Sequence, residues 1–158
     1  MNTGIIASRY ARALLRYSRE SGSLERVFAQ VRELLADPDA ASRGLEPDIS
    51  KLFALLMKNG READVRLVFS SFIRQYCDSE GLLIANLTTA VPSEDTAGRL
   101  RTLLEERTGR KVIMDTKVDP AVIGGFVLEA GDCILDASVR RQIDSLRREL
   151  ITINNRIV

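Results

Sequence analysis

The residues that could do chemistry in this chain are few, and each has a plain structural alternative. Cys77 and Cys133 are the only thiols. They lie too far apart for a C-x-x-C redox pair and are too few for a structural zinc cluster. Each sits in an apolar pattern, the setting of reduced, buried thiols in a cytosolic protein. Histidine is absent, which removes Ser-His-Asp and Cys-His nucleophile pairs, histidine general bases and histidine-containing zinc sites. Gly124-Gly125 invites a phosphate-loop reading. A Walker loop, however, needs Lys-Ser or Lys-Thr after its last glycine, and a dinucleotide fingerprint needs glycines that open a helix. Here Phe126-Val127-Leu128 follows, so the pair reads as close backbone packing or a bulge in an apolar strand. Asp132 and Asp136 lack the EF-hand spacing and its final glutamate. They read as a turn residue and, with Ser138, a helix cap. No catalytic, cofactor-binding or metal-ligating residue is assigned, and the chain is not expected to be an enzyme.

The charges exclude further classes. Lys plus Arg is 23 and Asp plus Glu is 22 in 158 residues, a net of +1. Such a balance provides no global field for nucleic acid or anionic lipid. No apolar run approaches the roughly 20 residues that span a bilayer, and the N-terminus lacks the basic and apolar regions of a secretion signal. A soluble cytosolic chain without direct membrane insertion is the expectation. Nineteen of the basic residues are arginine. Arg9, Arg12, Arg16 and Arg19 follow one side of the first helix, either as a solvated face or as a contact for an acidic partner.

The elements that must position these residues fall into two groups. Residues 1–81 read as four helices with short connections, an antiparallel bundle. Ile6, Tyr10, Ala13, Leu14 and Tyr17 recur at helical spacing, with Ala7, Ala11 and Leu15 as a second row. Gly22 is a plausible C-cap and Ser23 a plausible N-cap. Leu24, Val27, Phe28, Val31, Leu34 and Leu35 form the next stripe. Pro38, Gly44 and Pro47 break the pattern. Asp48 can cap a third helix that is apolar on most sides (Ile49, Leu52, Phe53, Leu55, Leu56, Met57) and ends at Gly60. Val65, Val68, Phe69, Phe72, Ile73 and Tyr76 make the fourth, ended by Gly81.

Residues 82–158 change period. A strand is predicted over Leu82–Val91, then a helix capped by Ser93 and closed by Gly109, then an alternating strand over Lys111–Val118. Val122–Glu129 and Cys133–Leu135 flank Ala130-Gly131-Asp132, a hairpin signal. A final helix begins near Ala137, with Val139, Ile143, Leu146, Leu150 and Ile153 spaced 4, 3, 4 and 3. The fold class expected is α+β in two domains, the second a small α/β domain of order β-α-β-β-α.

One feature exceeds what a bundle needs. The first helix has two apolar rows and the third is apolar nearly all round, whereas a four-helix bundle uses one stripe from each. The surplus points to a groove that receives another amphipathic helix, or else to a well-buried core.

The segment from Val118 to Arg140, VDPAVIGGFVLEAGDCILDASVR, closely resembles the C-terminal signature of the F-type ATP synthase delta subunit family, the bacterial counterpart of the mitochondrial oligomycin-sensitivity-conferring protein. Ile6-Ala7-Ser8-Arg9-Tyr10-Ala11-Arg12-Ala13-Leu14 resembles the family's first helix. Leu55-Leu56-Met57-Lys58-Asn59-Gly60-Arg61 resembles the link between its last two bundle helices. The family's bundle has six helices, two of them short ones in the middle. Only Pro38 to Pro47 occupies that region here, so the bundle is expected to be reduced. The resemblance implies a non-catalytic stator component with no cofactor. It would join the N-terminal helix of an ATP synthase alpha subunit to the peripheral-stalk b subunits and resist rotor torque, at the cytoplasmic face of the bacterial inner membrane. Ile6, Tyr10, Leu14 and Tyr17 on the first helix, with Leu52, Leu55 and Leu56 on the third, would then form the partner groove. The competing readings are an unrelated adaptor whose bundle binds another helix, and a small-molecule enzyme using carboxylates and arginine.

Overall fold

A computed structural model describes residues 3–37, 39–40 and 44–154. Side chains of the last helix are described through Leu146 and at Arg148, so the expectations for Pro38, Leu150 and Ile153 lie outside the described residues. The protein is α+β, with six α-helices and a four-stranded mixed sheet among those residues. It separates into two compact units, one ending at Glu80 and the other beginning at Gly81.

The first unit holds α1 (Thr3–Glu20), α2 (Leu24–Ala36), α3 (Pro47–Lys58) and α4 (Val65–Glu80), with a 3-10 turn at Glu62–Asp64. Gly22, Gly60 and Gly81 all take positive φ and end helices, as their positions predict. Ala7 and Ala11 are fully buried, and these small side chains let α1 lie close against α4. Val27 and Val31 of α2, Ile49 and Leu56 of α3, and Val68 and Phe72 of α4 complete the core. Phe28 stacks on Tyr76 at 4.1 Å between ring centres.

Helix directions follow from the cross-links. Ser21 bonds Asp48, Tyr17 bonds Lys51 and Tyr10 bonds Asn59, descending along α1 as they ascend along α3. These two helices are antiparallel, as expected. Gln75 bonds Ser8 and Glu80 pairs with Arg19, rising together on both helices, so α4 passes α1 in the same sense. The bundle is therefore not antiparallel throughout.

The second unit holds β1 (Leu82–Thr89), α5 (Glu94–Thr108), β2 (Lys111–Val118), β3 (Phe126–Ala130), β4 (Cys133–Asp136) and α6 (Val139–Asn154). Both arms of the hairpin join the sheet, so the order is β-α-β-β-β-α, one strand more than expected. The sheet order is β2-β1-β3-β4. β1 and β2 are parallel across the α5 crossover, and β3 is antiparallel to β1. Ala85, Leu87, Ala97, Val112 and Leu128 form its core. Ser93 accepts from the Thr96 N–H and Gly109 closes α5 in the left-handed conformation, both as predicted. Gly124 and Gly125 are not inside a strand. They lie between a 3-10 turn at Pro120–Val122 and β3, although the close packing expected of them is present. Cys77 is buried, but Cys133 is exposed on β4, and neither forms a disulfide.

We propose that each unit is a domain that folds alone, divided at 1–81 and 82–158. Few core contacts need cross a boundary where a cap glycine coincides with a change of hydrophobic period. Circular dichroism of a 1–81 fragment is expected to show a cooperative helical melt. A disordered spectrum would place the boundary elsewhere.

Candidate functional site

The surplus apolar surface of α1 and α3 collects in one place. Leu14, Tyr17, Leu52 and Leu55 line a cavity of about 300 Å³ between these helices, together with Ala13, Asp48 and Lys51. Leu14 and Leu52 are nearly buried and form its floor. Tyr17 and Leu55, 42% and 45% exposed, form its walls and remain open to solvent. Ile6 and Tyr10 lie further along the same face of α1, half-buried, outside the cavity lining. Leu56, in contrast, is 1% exposed and belongs to the bundle core. It points away from the groove because an α-helix turns 100° per residue, which sets neighbouring leucines on different faces.

Polar cross-links fix the spacing of the two walls. Asn59 Nδ2 donates to Tyr10 Oη at 3.0 Å at one end. Lys51 Nζ donates to Tyr17 Oη at 2.5 Å and lies 4.9 Å from the centre of the same ring. Ser21 Oγ donates to Asp48 Oδ2 at 2.8 Å at the other end, and Ser23 Oγ donates to the same oxygen. The first and last links are eleven residues apart on each helix, about 16 Å of groove. That length receives about three turns of a partner helix.

Asp48 departs from its expected role. Pro47 begins α3 after Glu46, so Asp48 stands inside the first turn, and its side chain is turned into the bundle. Ser23 likewise occupies an N-cap position without making the cap bond, because its hydroxyl is spent on Asp48. Burial alone would raise the Asp48 carboxyl. The hydroxyls of Ser23 and Ser21, helped by Lys51 and Arg26, outweigh it and hold the group below the ordinary carboxylate value. Lys51 is held above its ordinary value, first by the Tyr17 hydrogen bond and with help from Asp48. Asp48 thus anchors the end of the groove in charged form.

Other hollows lack this construction. A cleft of about 520 Å³ lies on the outer face of α5, but one helix lines it, with Glu94, Asp95 and Glu106 against Arg99. Another of about 260 Å³ lies among Leu34, Leu35, Phe53 and Phe69, beside Glu62 and Arg66. Among the described residues, no group of three or more Cys, Asp or Glu side chains is arranged to hold a metal ion. No helix among them is long and apolar enough to cross a membrane. The second unit carries a different kind of surface. Val139, Ile143 and Leu146 follow one face of α6 and are exposed, and so are Ile134 and Leu135 on β4.

The family model described as "ATP synthase delta (OSCP) subunit" matches residues 38–150. The chain belongs to this family. Among curated members, "ATP synthase subunit delta" of Phocaeicola vulgatus is 30% identical over 185 aligned positions, with 100% of both chains covered. Those 185 positions against 158 residues leave 27 with no counterpart here. "ATP synthase subunit delta" of Lacticaseibacillus casei is 31% identical, covering 93% of this chain and 96% of its own. A chain in the cryo-EM structure of the Toxoplasma gondii mitochondrial ATP synthase hexamer shares the fold. Its TM-score is 0.61 at 20% identity, over 92% of this chain and 97% of that one.

Sequence reasoning missed three residues that line the cavity: Ala13, Asp48 and Lys51. Ala13 was legible as a member of the Tyr10–Tyr17 row, being three residues from one and four from the other. Nothing local marks Asp48 or Lys51, whose partners lie on the α1–α2 connection and on α1.

Proposed function

We propose that this chain is the stator joint of an F-type ATP synthase, a structural subunit and not a catalytic one. Its helical unit receives the N-terminal helix of an alpha subunit in the α1–α3 groove, and its second unit holds the peripheral-stalk b subunits. The observation that carries this reading is the groove itself, with an apolar floor, open aromatic and leucine walls, and cross-links that keep the walls apart before any partner arrives. A pre-formed groove loses little order on binding, so more of the contact energy is retained as affinity. The exposed α6 face supports a second contact: Val139, Ile143 and Leu146 form a stripe suited to a helical partner. Ile123, exposed and at φ 67, adds an apolar side chain on strained backbone in the same unit.

Resisting torque requires contacts in series that outlast each rotor step. A nanomolar contact is worth about 12 kcal/mol, and two such joints use no nucleotide, metal or proton path in this subunit. As part of the ATP synthase the chain is associated with a membrane complex, and we place it peripherally at the cytoplasmic face of the bacterial inner membrane. Family membership leaves no support for an unrelated adaptor.

The test is titration of the full chain with a synthetic peptide of the alpha-subunit N-terminus from the same organism. Binding is expected to weaken by about tenfold or more in Tyr17→Ala and in Leu55→Ala, with the melting temperature lowered by only a few degrees. Unchanged affinity in these folded variants would move the site away from the groove.

A further inference from the structure

We infer that the α1–α3 groove selects a helix whose apolar stripe is bordered by carboxylates, because Arg9, Arg12, Arg16 and Lys58 border it with no hydrogen-bond or ion-pair partner among the described residues. This rests on the reading of the groove as the seat of the alpha-subunit helix, and adds what that helix must carry. On the α1 side, Arg9, Arg12 and Arg16 are exposed and make no hydrogen bond or ion pair among the described residues. Arg19, the last of the row, is committed to Glu80 at 2.8 Å. Arg9 and Arg16 lie four and three residues from Ala13, which lines the cavity, so their guanidinium groups stand on the surface adjoining it. On the α3 side, Lys51 lines the cavity and bonds a phenol oxygen instead of a carboxylate. Lys58, three residues from Leu55, is exposed and equally unpaired among the described residues.

At the other end, Asp48 accepts from Ser21 and Ser23 and is already satisfied within the chain. Because α1 and α3 are antiparallel, Arg9, Arg12 and Lys58 share the Tyr10–Asn59 end of the groove. Arg16 and Lys51 lie nearer the Asp48 end, so basic side chains border the groove along its length. Exposed rim charges act chiefly on encounter rate and on the choice of partner, and their effect is screened by salt.

The experiment uses the full chain and three probes: the alpha-subunit N-terminal peptide, and two designed helical peptides sharing one leucine stripe, flanked by Glu in one and by Lys in the other. The Glu-flanked peptide is expected to bind about tenfold tighter at low salt. Arg9→Gln/Arg16→Gln/Lys58→Gln is expected to remove that preference and to slow association of the alpha peptide about tenfold, with a flatter salt dependence. A control, Arg101→Gln/Arg107→Gln on α5, is expected to change nothing, and all melting temperatures are expected to hold. Equal binding of the two designed peptides, or a preference that survives the triple variant, would overturn the inference. Rim-independent binding of the alpha peptide would overturn it while leaving the partner assignment standing. Rim-dependent capture of the Glu-flanked peptide without binding of the alpha peptide would support the inference and remove the partner assignment.

Discussion

Gly125→Ala is expected to destabilise the sheet-containing unit by about 3 kcal/mol or more, lowering its melting temperature by more than about 10 °C. Gly125 has φ 73, and a Cβ placed there would lie 2.2 Å from the Ala137 carbonyl oxygen. Left-handed backbone alone costs an alanine about 1–2 kcal/mol. The clash adds to this because the neighbour is backbone and cannot rotate away. Ala137 N–H donates to Phe126 O at 2.9 Å, and Val139 N–H donates to Gly124 O at 2.9 Å. These two bonds tie the start of α6 to the strand that Gly125 introduces, so relief of the clash must break them and release the helix. Gly131→Ala is the control. Gly131 has φ 59, but its nearest neighbour to a new Cβ is the Leu83 side chain at 3.6 Å. It should show the conformational cost without the clash, about 1–2 kcal/mol. Urea unfolding followed by hydrogen exchange at α6 separates the two. Equal losses in both variants would mean that α6 does not press on Gly125.

The contrast shows where sequence reasoning reaches and where it stops. Gly124-Gly125 announced close packing through its type, yet the partner that makes it close is twelve residues downstream, and no spacing rule names it. The helices of the first unit were legible because each buries one stripe of period 3.6 and ends at a glycine, signals contained within a single element. The extra strand was legible as a hairpin arm but was lost from the expected order. Cys133 misled for a physical reason. β4 is a four-residue edge strand whose Cys133, Ile134 and Leu135 are all exposed. An apolar run there records surface available to a partner, not depth in the core. Asp48 misled in the opposite direction. A carboxylate in the first turn of a helix looks like a cap from its neighbours alone, whereas its partners Ser21 and Ser23 sit on the α1–α2 connection. For the cavity, apolar surplus pointed to the two helices that line it. It could not tell which of the adjacent leucines of α3 faces outward.

Leu55 and Leu56 settle that question by experiment. Leu56→Ala is expected to cost the helical unit about 2–5 kcal/mol, because Leu56 is 1% exposed and its removal leaves a cavity among well-packed neighbours. In a unit of this size the loss corresponds to a fall in melting temperature of about 10 °C or more. Leu55→Ala removes the same atoms from a residue that is 45% exposed, and is expected to cost less than about 1 kcal/mol. The two substitutions are chemically identical and adjacent, so helix propensity and unfolded-state effects are closely matched and largely cancel between them. What remains is the difference between a core position and a groove wall. Calorimetric melts of the two variants, with alpha-peptide affinity measured on the same samples, read both quantities at once. Leu55→Ala should keep its stability while losing affinity. Leu56→Ala, at a temperature where it is still folded, should keep an affinity close to that of the unaltered chain. A Leu55→Ala variant as unstable as Leu56→Ala would make Leu55 part of the core, and the cavity between α1 and α3 would then be a packing defect and not a seat for a partner.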